Sequence, residues 1–209
     1  MDRAIDIRRF EAADIEACYA ISLATGLAGS DASHLYVDPQ LMGHIYIAPY
    51  AQLEPNLVLV VEDGDGVAGF VAGATDTEAW EQRLERDWWP PLRSRYPDPS
   101  DVPPEMQTAD QRRAFMIHHP VSTPAEVTAR FPAHLHMNLL PRLQRRGIGS
   151  TLLNAWRQAA DGRGARSMHV GVNRANERAI RFWRARGFEA LTLEAPALGR
   201  TLWMGCEGQ

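Results

Sequence analysis

Polar and apolar residues alternate across residues 4–10, with Ile5 and Ile7 set against Asp6 and Arg8. That two-residue period predicts a half-buried strand. The period then lengthens. Ile15, Cys18, Tyr19, Ser22 and Leu23 recur every three or four positions, which predicts an amphipathic helix over residues 12–27, ended by Gly26 and Gly29. Residues 30–53 carry Tyr36, Tyr46 and Tyr50 and are expected to be irregular. Two apolar runs follow at residues 57–62 and 67–74, joined by Asp63-Gly64-Asp65-Gly66. Asp-Gly pairs supply the backbone of tight turns, so the runs read as a hairpin. The same tetrapeptide lacks the later oxygen ligands and the closing Glu of a calcium loop.

From residue 76 to 130 the pattern breaks up, as Trp80, Trp88 and Trp89 give way to Pro90, Pro91, Pro97, Pro99, Pro103 and Pro104. Helical pieces are expected at residues 108–118 and 124–131, the second started by Thr123 or Pro124. The stretch is too interrupted to hold a core of its own. It reads as a lid-like insertion, at about 76–131, within one domain spanning residues 1–209.

Regularity then returns, with strands expected at residues 133–140, 167–172, 188–193 and 201–206, and helices at 147–160 and 175–186. Strand and helix taking turns argue for a central mixed sheet flanked by helices. The expected fold is α+β, with about seven strands and a helical insertion between strands 3 and 4.

Composition narrows the partners. Hydrophobic residues make up 45% and charged residues 23%, enough for both a core and a solvated surface. The net charge of -4 gives no global pull toward nucleic acid, despite Arg142, Arg145 and Arg146. Cys18 and Cys206 stand far apart without a CxxC pair, which argues against a zinc ribbon or a thioredoxin-like site and for reduced thiols. No apolar run approaches the roughly 20 residues of a membrane span, and the first residues form no apolar signal region. A soluble, cytoplasmic protein without membrane or nucleic-acid partners is expected, and a homodimer is left open.

The chemistry concentrates in Leu139-Leu140-Pro141-Arg142-Leu143-Gln144-Arg145-Arg146-Gly147-Ile148-Gly149-Ser150. Pro141 cannot donate to a ladder, so strand pairing should break there. Two alternate glycines let the backbone turn its N–H groups toward a ligand, at the positive end of the helix that follows. The arginines add donors that suit phosphate. Together they read as a pyrophosphate cradle at a gap in the sheet. No Lys-Ser/Thr follows the second glycine, as a nucleotide P-loop requires, and the third glycine of the dinucleotide fingerprint is missing.

Gln144-x-x-Gly147-x-Gly149 after a strand resembles the acetyl-CoA signature of the GCN5-related N-acetyltransferase (GNAT) superfamily. Residues 176–188, Asn-Glu-Arg-Ala-Ile-Arg-Phe-Trp-Arg-Ala-Arg-Gly-Phe, resemble that superfamily's second signature. The runs His134 to Pro141, Ile45 to Tyr50 and Gly69 to Gly73 are similar to the acetyltransferase-like domain of O-GlcNAcases and its bacterial relatives. The resemblance implies a GNAT-like fold, acetyl-CoA as cofactor, and transfer of its acetyl group to an amine. It puts pantetheine against the backbone of Leu139 and Leu140, and pyrophosphate on the amides of Arg145, Arg146, Gly147, Ile148, Gly149 and Ser150. Gln144 belongs to the same motif. Asn176 should reach the cofactor, although Asn at that position is also a good helix cap. Phe182 and Trp183 are expected beside the thioester, with core packing as their ordinary role.

Family members place a Tyr, the acid for the leaving thiolate, where this chain has Trp183. An indole N–H donates a hydrogen bond but yields no proton near neutral pH. Solvent or another tyrosine is the substitute, with Tyr36, Tyr46 and Tyr50 as the candidates at hand. His136 and Asn138 are expected on the acceptor face of one strand, two positions apart, with His136 as candidate base. The O-GlcNAcase-like relatives carry Asp at the Asn138 position, and Asn cannot act as base. His134-x-His136 has no carboxylate at ligand spacing, so no metal is expected. Direct attack on acetyl-CoA by a small-molecule amine or a protein lysine is the expected activity. The alternative is a silent acyl-CoA-binding module.

Overall fold

The computed structural model describes residues 5–194 and 199–208. One mixed sheet runs in the order β1-β2-β3-β4-β5-β7-β6. Its strands are β1 (Asp6–Arg9), β2 (Val58–Asp63), β3 (Gly66–Ala74), β4 (Ala133–Leu139), β5 (Ser167–Asn173), β6 (Glu189–Ala190) and β7 (Thr201–Glu207). All neighbours are antiparallel except β4 and β5, which run parallel. A parallel pair needs a crossover, and α8 (Ile148–Asp161) supplies it.

Strand β2 shows how the layers form. Its side chains alternate between faces, yet Val58, Leu59, Val60 and Val61 are all buried. On one side Leu59 and Val61 meet Leu152, Leu153 and Trp156 of α8. On the other, Val58 and Val60 meet Cys18 and Ile21 of α1 (Ile15–Ala24) and Tyr50 of α3 (Ala48–Leu53). Trp156 also donates its indole N–H to the Leu57 carbonyl at 3.0 Å. Helices thus cover both faces, as the sequence pattern required.

Residues 30–53 are more regular than expected. They hold α2 (Leu41–Tyr46) and α3. Helices of six residues are too short to display a period, and Pro49 sits in the first turn of α3, where it starts a helix. Gly43 lets α2 press onto α1, since a Cβ there would lie 2.0 Å from the Tyr19 ring.

The insertion between β3 and β4 is helical: α4 (Thr77–Asp87), α5 (Trp89–Arg95), α6 (Ala109–His118) and α7 (Ala125–Thr128). Asp76 caps α4 by accepting from the Ala79 amide at 3.0 Å, and Thr108 with Gln111 forms a capping box on α6. Pro90 and Pro91 occupy the first turn of α5 and so do not interrupt it. Within the insertion Trp89, Leu92 and Ile117 are buried together. That small core leans on Ile45, and the Trp88 indole donates to the His44 carbonyl at 2.9 Å.

The strand expected at 188–193 shortens to β6, although the Leu191 amide still donates to the Trp203 carbonyl at 2.9 Å. Ala4, expected to open the first strand, lies outside the described residues.

Candidate active site

The gap in the sheet lies where β4 ends. The Leu140 amide donates to the Ala68 carbonyl at 2.8 Å, so the even-numbered positions of β4 exchange bonds with β3. Antiparallel alternation then turns Met137 and Leu139 to the opposite edge. There β4 pairs with β5 only through Ala133↔Met168 and His134↔His169, and the strands part beyond. Leu140, expected to meet a cofactor beside Leu139, is therefore committed to β3. The open edge belongs to Met137 and Leu139.

Pro141 ends the strand and begins a 3-10 turn, Pro141–Leu143, pinned by the fully buried Leu143. Arg145 and Gly147 follow with φ of 60° and 79°. Left-handed residues on either side of Arg146 curl successive amides inward, the arrangement that binds anions. The amides of Gly147, Ile148 and Gly149 donate to no carbonyl among the described residues. The Ser150 amide, expected in the same cradle, instead donates to the Gly147 carbonyl at 2.9 Å. Behind the turn, α8 directs the positive end of 14 residues at this spot. Gly149 is required for closeness, because a Cβ there would lie 3.0 Å from the Phe182 ring.

These elements line one cavity of about 340 Å³ with Thr25, Gly29, Asn138, Asn176 and Phe182. A larger groove of about 740 Å³ runs past Arg157 and Cys206, but it holds neither the open strand edge nor the left-handed turn.

Each motif residue takes a definite place. Gln144 donates from Nε2 to the Leu139 carbonyl at 2.7 Å and accepts from Arg178 on Oε1. Arg178 also reaches the Gly29 carbonyl at 3.2 Å, tying the loop after α1 to α9 (Glu177–Arg184). Asn176 caps α9 through the Ala179 amide at 3.0 Å and still lines the cavity, so both expected roles meet in one residue. Trp183 is buried against Phe182 and Phe188, with ring centroids at 5.0 and 4.9 Å, and forms part of the cavity wall.

Of the arginines expected to serve phosphate, Arg145 lines the cavity. Arg142 is drawn away to Asp63, Nε to carboxylate oxygen at 2.9 Å, and Arg146 is not in the cavity wall. Two arginines not anticipated replace them. Arg178 and Arg186 both line the cavity, and Arg186 lies over the Phe182 ring at 4.3 Å while its Nε donates to the Ser150 hydroxyl at 3.1 Å. The spacing of residues 178, 182 and 186, four apart within the helix expected over 175–186, was the signal for them, although α9 itself ends at Arg184.

The opposite face of β4 carries His134, His136 and Asn138. His134 is buried and used structurally. Its Nε2 pairs with the Tyr50 hydroxyl and its Nδ1 with the Thr77 hydroxyl, both at 2.7 Å. Asn138 donates from Nδ2 to Thr25 Oγ1 at 2.6 Å, and that hydroxyl donates onward to the Ile21 carbonyl at 2.7 Å. His136 sits edge-on to Tyr46 and Tyr50, at 5.7 and 5.6 Å. Burial, helped by nearby His169, pushes its pKa down to about 4. It is a neutral imidazole at physiological pH.

The three tyrosines considered as acids divide. Tyr50 is stacked on Trp80 at 4.4 Å, and burial drives its pKa far above the ordinary phenol value. Tyr36 and Tyr46 instead accept hydrogen bonds from Arg113, at 3.0 and 3.1 Å.

Residues 29–188 match the family model described as Acetyltransferase (GNAT) family. The chain is similar to the solved structure of SsHAT, with 32% identity, TM-score 0.87 and 98% of each chain covered. It also shares its fold with yncA of Salmonella typhimurium, solved with its cofactor acetyl-CoA, at 20% identity and TM-score 0.53 over 98% of this chain and 94% of that one. Among curated proteins it resembles Protein O-GlcNAcase of Rattus norvegicus, 21% identical over 172 residues. That match takes in 78% of this chain but 18% of the relative, so the chain spans less than a fifth of the relative's length.

Proposed function

The chain belongs to the acetyltransferase (GNAT) family, and on that premise we propose that it transfers the acetyl group of acetyl-CoA directly to an amine. The observation that carries the reading is one cavity joining the open edge of β4 to the left-handed turn before α8. Amides of Gly147, Ile148 and Gly149, with Arg145, present donors to a pyrophosphate. The edge at Met137 and Leu139 offers backbone pairing to an extended amide-bearing chain such as pantetheine. Phe182 and Trp183 supply an apolar wall. When bound, acetyl-CoA contributes an acetyl carbon activated as a thioester.

The protein's remaining task is to deliver a neutral amine. Asn138 binds Thr25 through Nδ2, which leaves Oδ1 to accept an N–H from the acceptor and orient its lone pair. His136, with a pKa of about 4, accepts a hydrogen bond but does not retain a proton, so the proton passes to solvent. Trp183 stands where family members have a phenol, and its indole N–H cannot be given up. Solvent therefore protonates the departing thiolate. The acceptor is a small-molecule amine or a protein lysine.

Purified protein given acetyl-CoA and a broad amine panel should release free thiol above the uncatalysed rate. A second reading, an acyl-CoA-binding module without turnover, is favoured by the weak base and the missing acid. Micromolar CoA affinity by calorimetry with no transfer to any amine would select it. Loss of CoA binding altogether would sink both.

A further inference from the structure

Arg113 of α6 is a cation without an anion. Its Nε donates to the Tyr36 hydroxyl oxygen at 3.0 Å, and its Nη1 to that of Tyr46 at 3.1 Å, with Met116 Sδ 3.0 Å from Nη1. The guanidinium carbon lies 5.6 Å from the centroid of the Tyr46 ring. Nη2 has no hydrogen-bond partner, and no carboxylate pairs with Arg113, among the described residues. On the adjoining helix α5, by contrast, Arg93 meets Glu85 and Arg95 meets Asp38. Arg113 is half-buried, and drawing a guanidinium even partly out of water without a counter-charge is unfavourable. An anion arriving at that spot would offset the cost.

The surrounding hydroxyls favour the same occupant. Each phenol oxygen accepts from Arg113, which leaves its own O–H able to donate. The cluster therefore presents N–H and O–H donors and no carboxylate. It also adjoins the acceptor face of β4, because the Tyr46 ring packs edge-on with His136, their centroids 5.7 Å apart. We propose that Arg113, with Tyr36 and Tyr46, binds a carboxylate on the acceptor, so that the substrate is an amine that also carries a carboxylate. This rests on the transfer reading for the amine and stands on separate residues. One guanidinium fits one negative charge, and the other groups that act on it are the two phenols, not a second cation of the kind a phosphoryl dianion would call for.

The test uses matched pairs of amines: glycine and glycinamide, phenylalanine and phenylalaninamide, 4-aminobutyrate and its amide. Binding to the CoA-saturated protein is measured by calorimetry, and thiol release is measured with acetyl-CoA. In at least one pair the acid should bind roughly 10-fold more tightly than the amide. Arg113→Met should shrink that gap to less than about 3-fold, and Arg113→Lys should retain part of it. CoA affinity serves as the check on folding, and the wild-type comparison stands even where a variant misfolds. Acid and amide binding alike across the panel, or Arg113→Met weakening both members equally, overturns the proposal. Acid-selective binding without thiol release keeps this site and removes transfer. Thiol release without acid preference does the reverse.

Discussion

Gln144 Nε2 lies 2.7 Å from the carbonyl oxygen of Leu139, the strand residue five positions before it. The side chain closes the corner where β4 turns into the cradle, and Arg178 locks its other end. Gln144 therefore holds the geometry of the site and leaves the ligand to backbone groups. Removing it frees the Leu139 carbonyl and one guanidinium together.

Gln144→Ala should weaken CoA binding roughly 10-fold, the cost of about one to two broken hydrogen bonds. Gln144→Glu should fare no better, since a carboxylate cannot donate to Leu139. Calorimetric titration with CoA decides. Unchanged affinity in both variants would show that the corner is held by the turn alone.

The two glycines of the cradle should respond differently. Gly147 has φ of 79° and open space around it, so Gly147→Ala meets backbone strain alone, about 1 kcal/mol. Gly149 is boxed in by Phe182, so Gly149→Val must displace that ring and should cost about 1–3 kcal/mol in stability. The second variant should also lose most of its CoA affinity. Urea unfolding and calorimetry on the pair separate strain from collision.

Much of this frame was legible in the sequence. Alternation marked β1, apolar runs flanking Asp63-Gly64-Asp65-Gly66 marked β2 and β3, and Gln144, Gly147 and Gly149 marked the cradle, because these features depend on neighbours in the chain. The α2 and α3 helices were missed, being too short for a period and made by packing against α1. Leu140 was expected against pantetheine beside Leu139, yet its amide bonds to Ala68, because the edge a residue serves is set by register with β3 and leaves no mark in the local pattern. Arg142 was read as a phosphate ligand for a similar reason. Its partner, Asp63, is 79 residues away.

The histidines make stability depend on pH. Burial is the first cause of lowered pKa in His134, His136, His169 and His44. The unfolded chain therefore binds more protons than the folded one once pH falls below the usual histidine value of about 6.5. Stability should be fully present above that pH and decline as pH drops toward 4, with His136 alone contributing on the order of 2 kcal/mol. Urea midpoints measured from pH 7.5 to 4.5 should fall, and the slope should lessen in His136→Gln. A flat series would contradict the neutral assignment. The same assignment implies that kcat/KM shows no inflection near 6.5 from His136 and rises as the acceptor amine loses its proton.

Trp183 sits in the cavity wall where the family pattern has a phenol, and it is also a core residue packed on Phe182 and Phe188. These roles can be separated by substitution. Trp183→Phe and Trp183→Tyr remove similar volume, and each should lose about 1–3 kcal/mol of stability. They differ by one hydroxyl. If departure of the thiolate is slowed by the lack of a proton donor, Trp183→Tyr should show a kcat roughly 10-fold or more above Trp183→Phe, since a positioned acid contributes at least that much. KM for acetyl-CoA should match in the two, because the ring wall is the same. Equal kcat values would mean that solvent already protonates the leaving group without limiting the rate, and that the indole costs the protein nothing in turnover.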